Sequence, residues 1–256
     1  MDRRRPAVKP AASVAGPAIV RLASVPSTQA IAFDLAEAGA ADGTVVLADH
    51  QTAGRGRRGR TWEDAPGASL LASVLMRPRL EPRRLPWLSY VAAVAVAEAL
   101  QEAAGVEARL KWPNDVLAGG RKIAGILLEA RMAVPRPGEP AAAVTVVGIG
   151  VNLAPASVPA ALAARATCVR EAAGRDADRD ALLAAVLAAL ERWRARLERQ
   201  GAEPVRRRWL ALAEGLGRPV RVGGVSGVAV DLDADGALVV DGPGGRQRVV
   251  AGEVEG

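Results

Sequence analysis

The sequence predicts an α/β fold followed by a small all-β unit, on three observations. From Ile19 to about Glu214, short apolar runs alternate with segments of helical period. Two of these, Arg179–Gln200 and Glu203–Glu214, follow one another as amphipathic helices, the first with Leu182, Leu183, Val186, Leu187, Leu190, Trp193 and Leu197 on one side. Beyond Gly217 the pattern turns to short apolar runs separated by Gly223-Gly224, Asp235-Gly236 and Gly242-Pro243-Gly244-Gly245, which reads as four or five strands of a small barrel. The expected units are a disordered tail over 1–18, a larger α/β domain over 19–213 and a barrel over 214–256.

Residues 1–18 are rich in Arg, Pro and Ala without a period, and no helix-turn-helix fits ahead of the first strand, Ile19–Ala23. Pro26-Ser27-Thr28-Gln29 opens a helix to about Ala38, with Ser27 or Thr28 as N-cap and Gly39 beyond its end. Thr44–Asp49 is an apolar strand that delivers His50 and Gln51. His50 has no second ligand at a metal spacing and reads as local structure, whereas the Gln51 amide offers both a donor and an acceptor. Ser69–Met76 is the next strand, and a helix apolar around most of its circumference runs from Pro86 to about Ala104, stopped by Gly105.

Glu107–Trp112 is a strand broken by Pro113-Asn114-Asp115. Val116–Ala118 and Lys122–Glu129 flank Gly119-Gly120, a hairpin signal, and strict alternation puts Lys122, Ala124, Ile126 and Leu128 on one face. Ala143–Asn152 is a buried strand, followed over 153–167 by an Ala/Pro-rich segment expected to form a mobile loop over a site. The next two elements are the amphipathic helices, Trp209 pointing inward from the second.

Composition bounds the function. With 256 residues, half of them apolar, the chain affords a sizeable core, and its single cysteine, Cys168, forms no internal disulfide and fits a reducing compartment. The uncharged stretch 140–164 is interrupted by Pro, Gly and Asn, so no membrane span is expected and the protein reads as cytoplasmic. The net charge of +6 is carried almost wholly by arginine, since only Lys9, Lys111 and Lys122 are lysines. In a chain so poor in Lys and Asn, the grouping of Lys111, Lys122, Asn114 and Asn152 marks a site.

The densest chemistry is Gly54-Arg55-Gly56-Arg57-Arg58-Gly59-Arg60-Thr61-Trp62. Its glycines free the backbone and its guanidinium forks match carboxylate and phosphate oxygens. It satisfies the dinucleotide pattern G-x-G-x-x-G, but Pro66-Gly67 follows where a helix would have to begin, and no Gly-Lys-Ser/Thr makes it a P-loop. Taken alone, the stretch fits an anion clamp, a solvated basic loop or a nucleic-acid-binding arm.

Four motifs in one order carry a resemblance: this stretch, Lys111-Trp112-Pro113-Asn114-Asp115, Lys122-Ile123-Ala124-Gly125-Ile126-Leu127 and Gly148-Ile149-Gly150-Val151-Asn152. Together they resemble the biotin protein ligases over residues 19–254. The resemblance implies a mixed-sheet α/β catalytic domain of the biotin/lipoate ligase type with an SH3-like C-terminal barrel. It implies that ATP, with Mg²⁺, activates biotin as biotinyl-5′-AMP, which a lysine of a biotin carboxyl carrier protein domain then attacks.

By the same resemblance Ser27, Thr28, Gln29 and Gln51 bind the biotin ureido group, and Arg55, Gly56 and Arg57 fold over biotin. Lys122 meets the biotin carboxyl and the α-phosphate, Arg58 and Arg60 serve phosphates or loop order, and Asn114, Asp115 and Asn152 face the nucleotide. Asp115 is also the candidate for Mg²⁺ and for removing a proton from the acceptor amine, with Lys122, Arg57 and Asp115 as the catalytic set. Gln29 stands where the family usually carries Asn. Without the winged helix of the repressor members, DNA binding is not expected, and a homodimer remains open. The competing readings are a lipoate or octanoate ligase and a non-enzymatic nucleic-acid-binding module.

Overall fold

The computed structural model describes residues 18–132 and 143–254; the tail expected over 1–18 lies, except for Ala18, outside them. Strands β1 (Ile19–Val25) and β2 (Val45–Gln51) run parallel, joined by helix α1 (Thr28–Glu37). Every residue of β3 (Ser69–Met76) is buried, which explains its unbroken run of apolar and small side chains: it is covered on both faces. Helix α2 (Trp87–Ala99) relaxes into a wider π-type turn over Leu100–Ala104 and ends at Gly105, in the left-handed region at φ 71°.

Strands β4 (Arg109–Lys111), β5 (Asp115–Ala118), β6 (Arg121–Met132) and β7 (Ala143–Asn152) complete a mixed seven-stranded sheet in the order β1-β2-β3-β7-β6-β5-β4. After β7 come α3 (Val169–Ala173), α4 (Arg179–Gln200) and α5 (Glu203–Leu212). On one face of the sheet, Ala32, Phe33 and Ala36 of α1 pack against Val46, Leu75 and Val146. The other face carries α2, buried almost throughout because α4 and α5 cover what the sheet does not. Among the described residues, no helix is long and apolar enough to cross a membrane.

The chain after α5 forms a four-stranded antiparallel sheet from β8 (Pro219–Val222), β9 (Val225–Leu232), β10 (Leu238–Gly242) and β11 (Gly245–Val249), in the order β11-β10-β9-β8. The sheet curls until Gly252 lies against Val222 and Gly223, a closeness that leaves no room for a side chain at Gly252. Its Val220, Ala229, Leu238 and Val240 join the same apolar cluster as α2. Polar bonds fasten the junction: Trp87 Nε1 donates to the Ala234 carbonyl at 3.0 Å, and the Tyr90 hydroxyl donates to the Gly236 carbonyl while accepting from Trp112 Nε1. Burial of this hydroxyl pushes the Tyr90 pKa up to about 12.

The structure corrects one pattern expectation with consequences for the site. The β5–β6 hairpin carries a bulge: Leu117 pairs with Lys122 but Val116 pairs with Ala124. Ile123 is the extra residue, and both it and Ala124 turn into the apolar core. Lys122 is thereby moved off the face of Ala124 and Ile126 and onto that of Gly125, where its Nζ would lie 3.3 Å from an added Cβ.

One partly buried carboxylate ties the helical layer together. Glu98 of α2 accepts from Arg192 (2.7 Å) and Trp193 Nε1 (2.9 Å) of α4 and from Arg208 Nε of α5 (2.9 Å). Burial alone would raise its pKa, but the bonds from Trp193, Arg192 and Arg208 outweigh it and hold the group below its ordinary value of 4.5. A depressed folded pKa contributes stability that is present above 4.5 and lost as pH falls below 4.5 through the lower folded value. Glu98→Gln is expected to cost about 1–3 kcal/mol at neutral pH in urea unfolding, and the gap to wild type should narrow below pH 4.5. A gap that does not change with pH would show that the charge of Glu98 is not what stabilises.

Candidate active site

On the face that carries α1, the helix covers only part of the sheet. Ser73, Gly148 and Leu127 lie side by side under the first turn of α1, and beyond it Leu71, Gly150 and Gly125 form the next row. Glycines on adjacent strands make a floor without side chains, where another group approaches the backbone closely. Over it lies a cavity of about 1090 Å³. That is at the upper end of small-molecule sites, which span roughly 300–1,000 Å³, and suits more than one reactant.

The Arg-Gly stretch forms the lid of this cavity and is itself a small hairpin. Trp62 N donates to Gly54 O (3.0 Å), Gly56 N to Arg60 O (2.7 Å) and Arg60 N to Arg57 O (3.2 Å). Its tip turns through Arg58 and Gly59, both left-handed at φ 57° and 76°. Glycine adopts that region freely; for Arg58 it is an uncommon conformation. At the hairpin's base, Gly54 packs so closely on the Trp62 carbonyl that a Cβ would lie 2.4 Å from the oxygen. The Trp62 ring lies over the floor, within 2.8 Å of where a Gly150 Cβ would stand, and 5.7 Å from Lys122 Nζ.

The cations around the cavity differ in how they are balanced. Lys122 Nζ is 2.6 Å from Asp115 Oδ1, and its main chain is pinned on both sides, its N–H donating to Arg165 O and its O accepting from Thr167 N, each at 2.8 Å. Arg55 pairs with Glu129 at 2.7 Å and Arg60 with Glu253 at 2.5 Å. Arg57 has no carboxylate at ion-pair distance among the described residues; its Nη1 reaches only the Asn114 Oδ1, at 3.4 Å. Burial pushes the Arg57 pKa below its ordinary value, with Tyr90 and Asp115 partly countering the shift. A half-buried cation without a counter-ion is a site for an incoming anion.

At the α1 end, neutral polar groups form a network. Thr28 N and Oγ1 both donate to Gln51 Oε1, at 2.8 and 3.0 Å. The single Thr28 hydroxyl proton is then used, so Ser73 Oγ, 2.8 Å away, is the donor in their contact. Ser27 occupies the N-cap position, but no side-chain cap bond forms there; Gln51 satisfies the Thr28 N–H, one of the four free N–H groups at the start of α1.

Most of the sequence-predicted residues meet at this cavity: Ser27, Thr28, Gln29, Gln51, Arg55, Gly56, Arg57, Arg60, Asn114, Asp115, Lys122 and Asn152 line it. Arg58 does not; it lines a shallower cleft of about 550 Å³ on the hairpin with Arg55, Arg57 and Arg60. Asn114 Nδ2 donates to Ile126 O (2.7 Å) and the buried Asn152 to Thr167 O (3.0 Å), so both amides also fasten backbone. The segment after β7 borders the cavity with Pro159, Leu162 and Arg165. His50 pairs with Asp64 at 3.1 Å, a local contact. Sequence reasoning missed Ser73, Glu129 and Glu253. The spacing of Gly148, Gly150 and Asn152, every second residue of one strand, is the signal that would have located the floor.

A cavity with a glycine floor, roofed by an arginine hairpin, has the architecture of a small-molecule site. Comparison with known families gives the class. The model of the biotin/lipoate A/B protein ligase family matches residues 22–152, and that of the biotin protein ligase C-terminal domain matches residues 215–255. The chain belongs to this family and is a ligase.

Among its relatives, the biotin--[acetyl-CoA-carboxylase] ligase of Paracoccus denitrificans is 43% identical over 242 residues, covering 91% of this chain and 98% of the relative. The bifunctional ligase/repressor BirA of Bacillus subtilis is 34% identical over 233 residues, 90% of this chain and 71% of the relative. The Aquifex aeolicus biotin protein ligase, solved in complex with biotin and ATP, superposes with a TM-score of 0.80 at 29% identity, covering 93% of this chain and 97% of that one.

Proposed function

We propose that this chain activates biotin with ATP and transfers it to a lysine of a biotin carboxyl carrier protein domain. In the first step a biotin carboxylate oxygen attacks the α-phosphorus of ATP, the bond to the β-phosphate breaks, and pyrophosphate leaves. In the second the lysine amine attacks the acyl carbon, the bond to AMP breaks, and the amine loses a proton. The observation that carries this reading is the division of the cavity. Neutral groups, Thr28 and Gln51, with the buried Ser73 bonded behind Thr28, gather at one end, while Arg57, Lys122, Asn114 and Asp115 gather at the other.

A cyclic urea asks for donors and acceptors without charge, whereas a carboxylate approaching a polyphosphate needs cations to offset the repulsion. Lys122 supplies a compact ammonium for several oxygens and Arg57 a planar fork. Gln29, Ser27, Arg55 and Gly56 complete the biotin end and its cover; Arg58, Arg60 and Asn152 serve the nucleotide or the order of the elements around it. Asp115, already beside Lys122, is the candidate to accept the amine proton.

Among the described residues, no group of three His, Cys, Asp or Glu side chains stands ready for a cation. The Asn114 oxygens are taken by Arg57 and Ile126 N and Asp115 Oδ1 by Lys122, so Asp115 Oδ2 is the oxygen that would meet Mg²⁺ held mainly by the nucleotide, an ion usually bound by one or two carboxylates plus phosphates. Bound there, it would neutralise phosphate charge. DNA is not proposed as a partner, because Arg55 and Arg60 are turned to the protein's own carboxylates. With ATP and Mg²⁺, pyrophosphate release is expected with biotin and not with lipoate, followed by a biotinyl mass adduct on a carrier domain. Release with lipoate alone would assign the chain to the lipoate branch of the family.

A further inference from the structure

The arginines of the hairpin do unequal work. We infer that Glu129, held in place by Gln29, is the latch that keeps the hairpin closed, so that Arg55 is a positioning residue and Arg57 is the arginine left to meet the ligand's anion. The inference rests on the ligase reading above and divides its arginines.

Gln29 is 4% exposed and its amide is already committed. Nε2 donates to Glu129 Oε2 at 2.8 Å and to Leu127 O at 3.4 Å, which uses both of its protons. Its Oε1 lies on Gly148, 2.5 Å from where a Cβ would stand, so the absence of a side chain at 148 is what lets the amide lie in this position. Gln29 therefore spends its donors on orienting a carboxylate.

That carboxylate lines the cleft on the hairpin, beside Leu127, and not the reactant cavity itself. Glu129 shares the face of Gly125 and Leu127 on β6, and the same Oε2 that Gln29 holds accepts from Arg55 Nη2 at 2.7 Å. Three elements, α1, β6 and the hairpin, meet in one chain of bonds. A ligand carboxylate that took Arg55 would strip Glu129 of its partner, whereas one that took Arg57 would displace only a 3.4 Å contact with a neutral amide. An ion pair whose partners are 46% and 34% exposed is also weak enough to open in each cycle. Pairs of this kind shift an open–closed ratio by no more than about fivefold.

The test uses the full chain as Glu129→Gln, Arg55→Gln and the double variant. Each is loaded with biotin, ATP and Mg²⁺, and release of biotinyl-adenylate is followed after removal of free substrates. Each single variant is expected to release the adenylate up to about fivefold faster, with the double variant no faster than either. Wild-type release by Glu129→Gln, or effects that multiply in the double variant, would overturn the latch and return Arg55 to the ligand. Trypsin cleavage of the hairpin without ligand gives a second readout: Glu129→Gln should be cut faster than wild type, and equal rates would count against the latch. If wild type forms no biotinyl-adenylate, the ligase reading fails, and the trypsin comparison decides the latch by itself.

Discussion

Lys122→Ala is expected to slow biotinyl-adenylate formation by on the order of 10²–10³-fold, the usual loss when one preorganised charge is removed from a developing anion. The ammonium lies 2.6 Å from Asp115 and 5.7 Å from the Trp62 ring, at the end of the cavity that we propose receives the carboxylate and the α-phosphate. Its removal takes away that charge and leaves Asp115 without its partner, which adds further repulsion toward phosphate.

Lys122→Arg should not rescue the activity. Nζ and Cε already stand 3.3 and 3.2 Å from the space a Gly125 Cβ would fill, and a planar fork needs more room than an ammonium. Pyrophosphate release measures the rate, and an unchanged urea midpoint shows that the fold persists. A rate within about twofold of wild type would remove Lys122 from the chemistry.

Arg57→Ala carries the second large effect, also on the order of 10²-fold or more in adenylate formation. The reason differs. Arg57 is half-buried and lacks a carboxylate partner among the described residues, so its charge is the one an anion can satisfy most directly. Because its only side-chain bond among the described residues is a 3.4 Å contact with Asn114, the substitution should leave urea stability close to that of wild type. Arg57→Lys tests the fork: it keeps the charge and loses the paired donors, and recovery is expected to be small. Full recovery by lysine would show that Arg57 acts as a point charge only.

The periodic elements were legible wherever a long segment had one period and clear stops. Ser69–Met76, Ala143–Asn152 and Arg179–Gln200 carry the bounds that continuous apolar runs, helical spacing and flanking turn residues predict. The hairpin at Gly119-Gly120 was equally plain, since both glycines adopt the left-handed region the turn requires. Alternation failed at Lys122, where one inserted residue reverses the faces of everything before it; a period read from sequence assumes an unbroken ladder and carries no signal for a bulge. At α1 the predicted N-cap, Ser27, stands in the right place but makes no side-chain cap bond, and Gln51 from another strand takes the N–H of Thr28 in the first turn.

By itself, then, the sequence determined the fold class, the order of elements and the inventory of cations, amides and glycines that a ligase of this family needs. These follow from burial and backbone preference, which are local properties that repeat along the chain. Only the tertiary structure decided who balances whom. Arg55 finds Glu129 across 74 positions, Arg60 finds Glu253 across 193, and Gln29 finds Glu129 across 100, while Arg57 is left with a neutral amide. Coulomb and hydrogen-bond energies depend on distance in space. In sequence, the four arginines of the hairpin look alike, and folding makes them different.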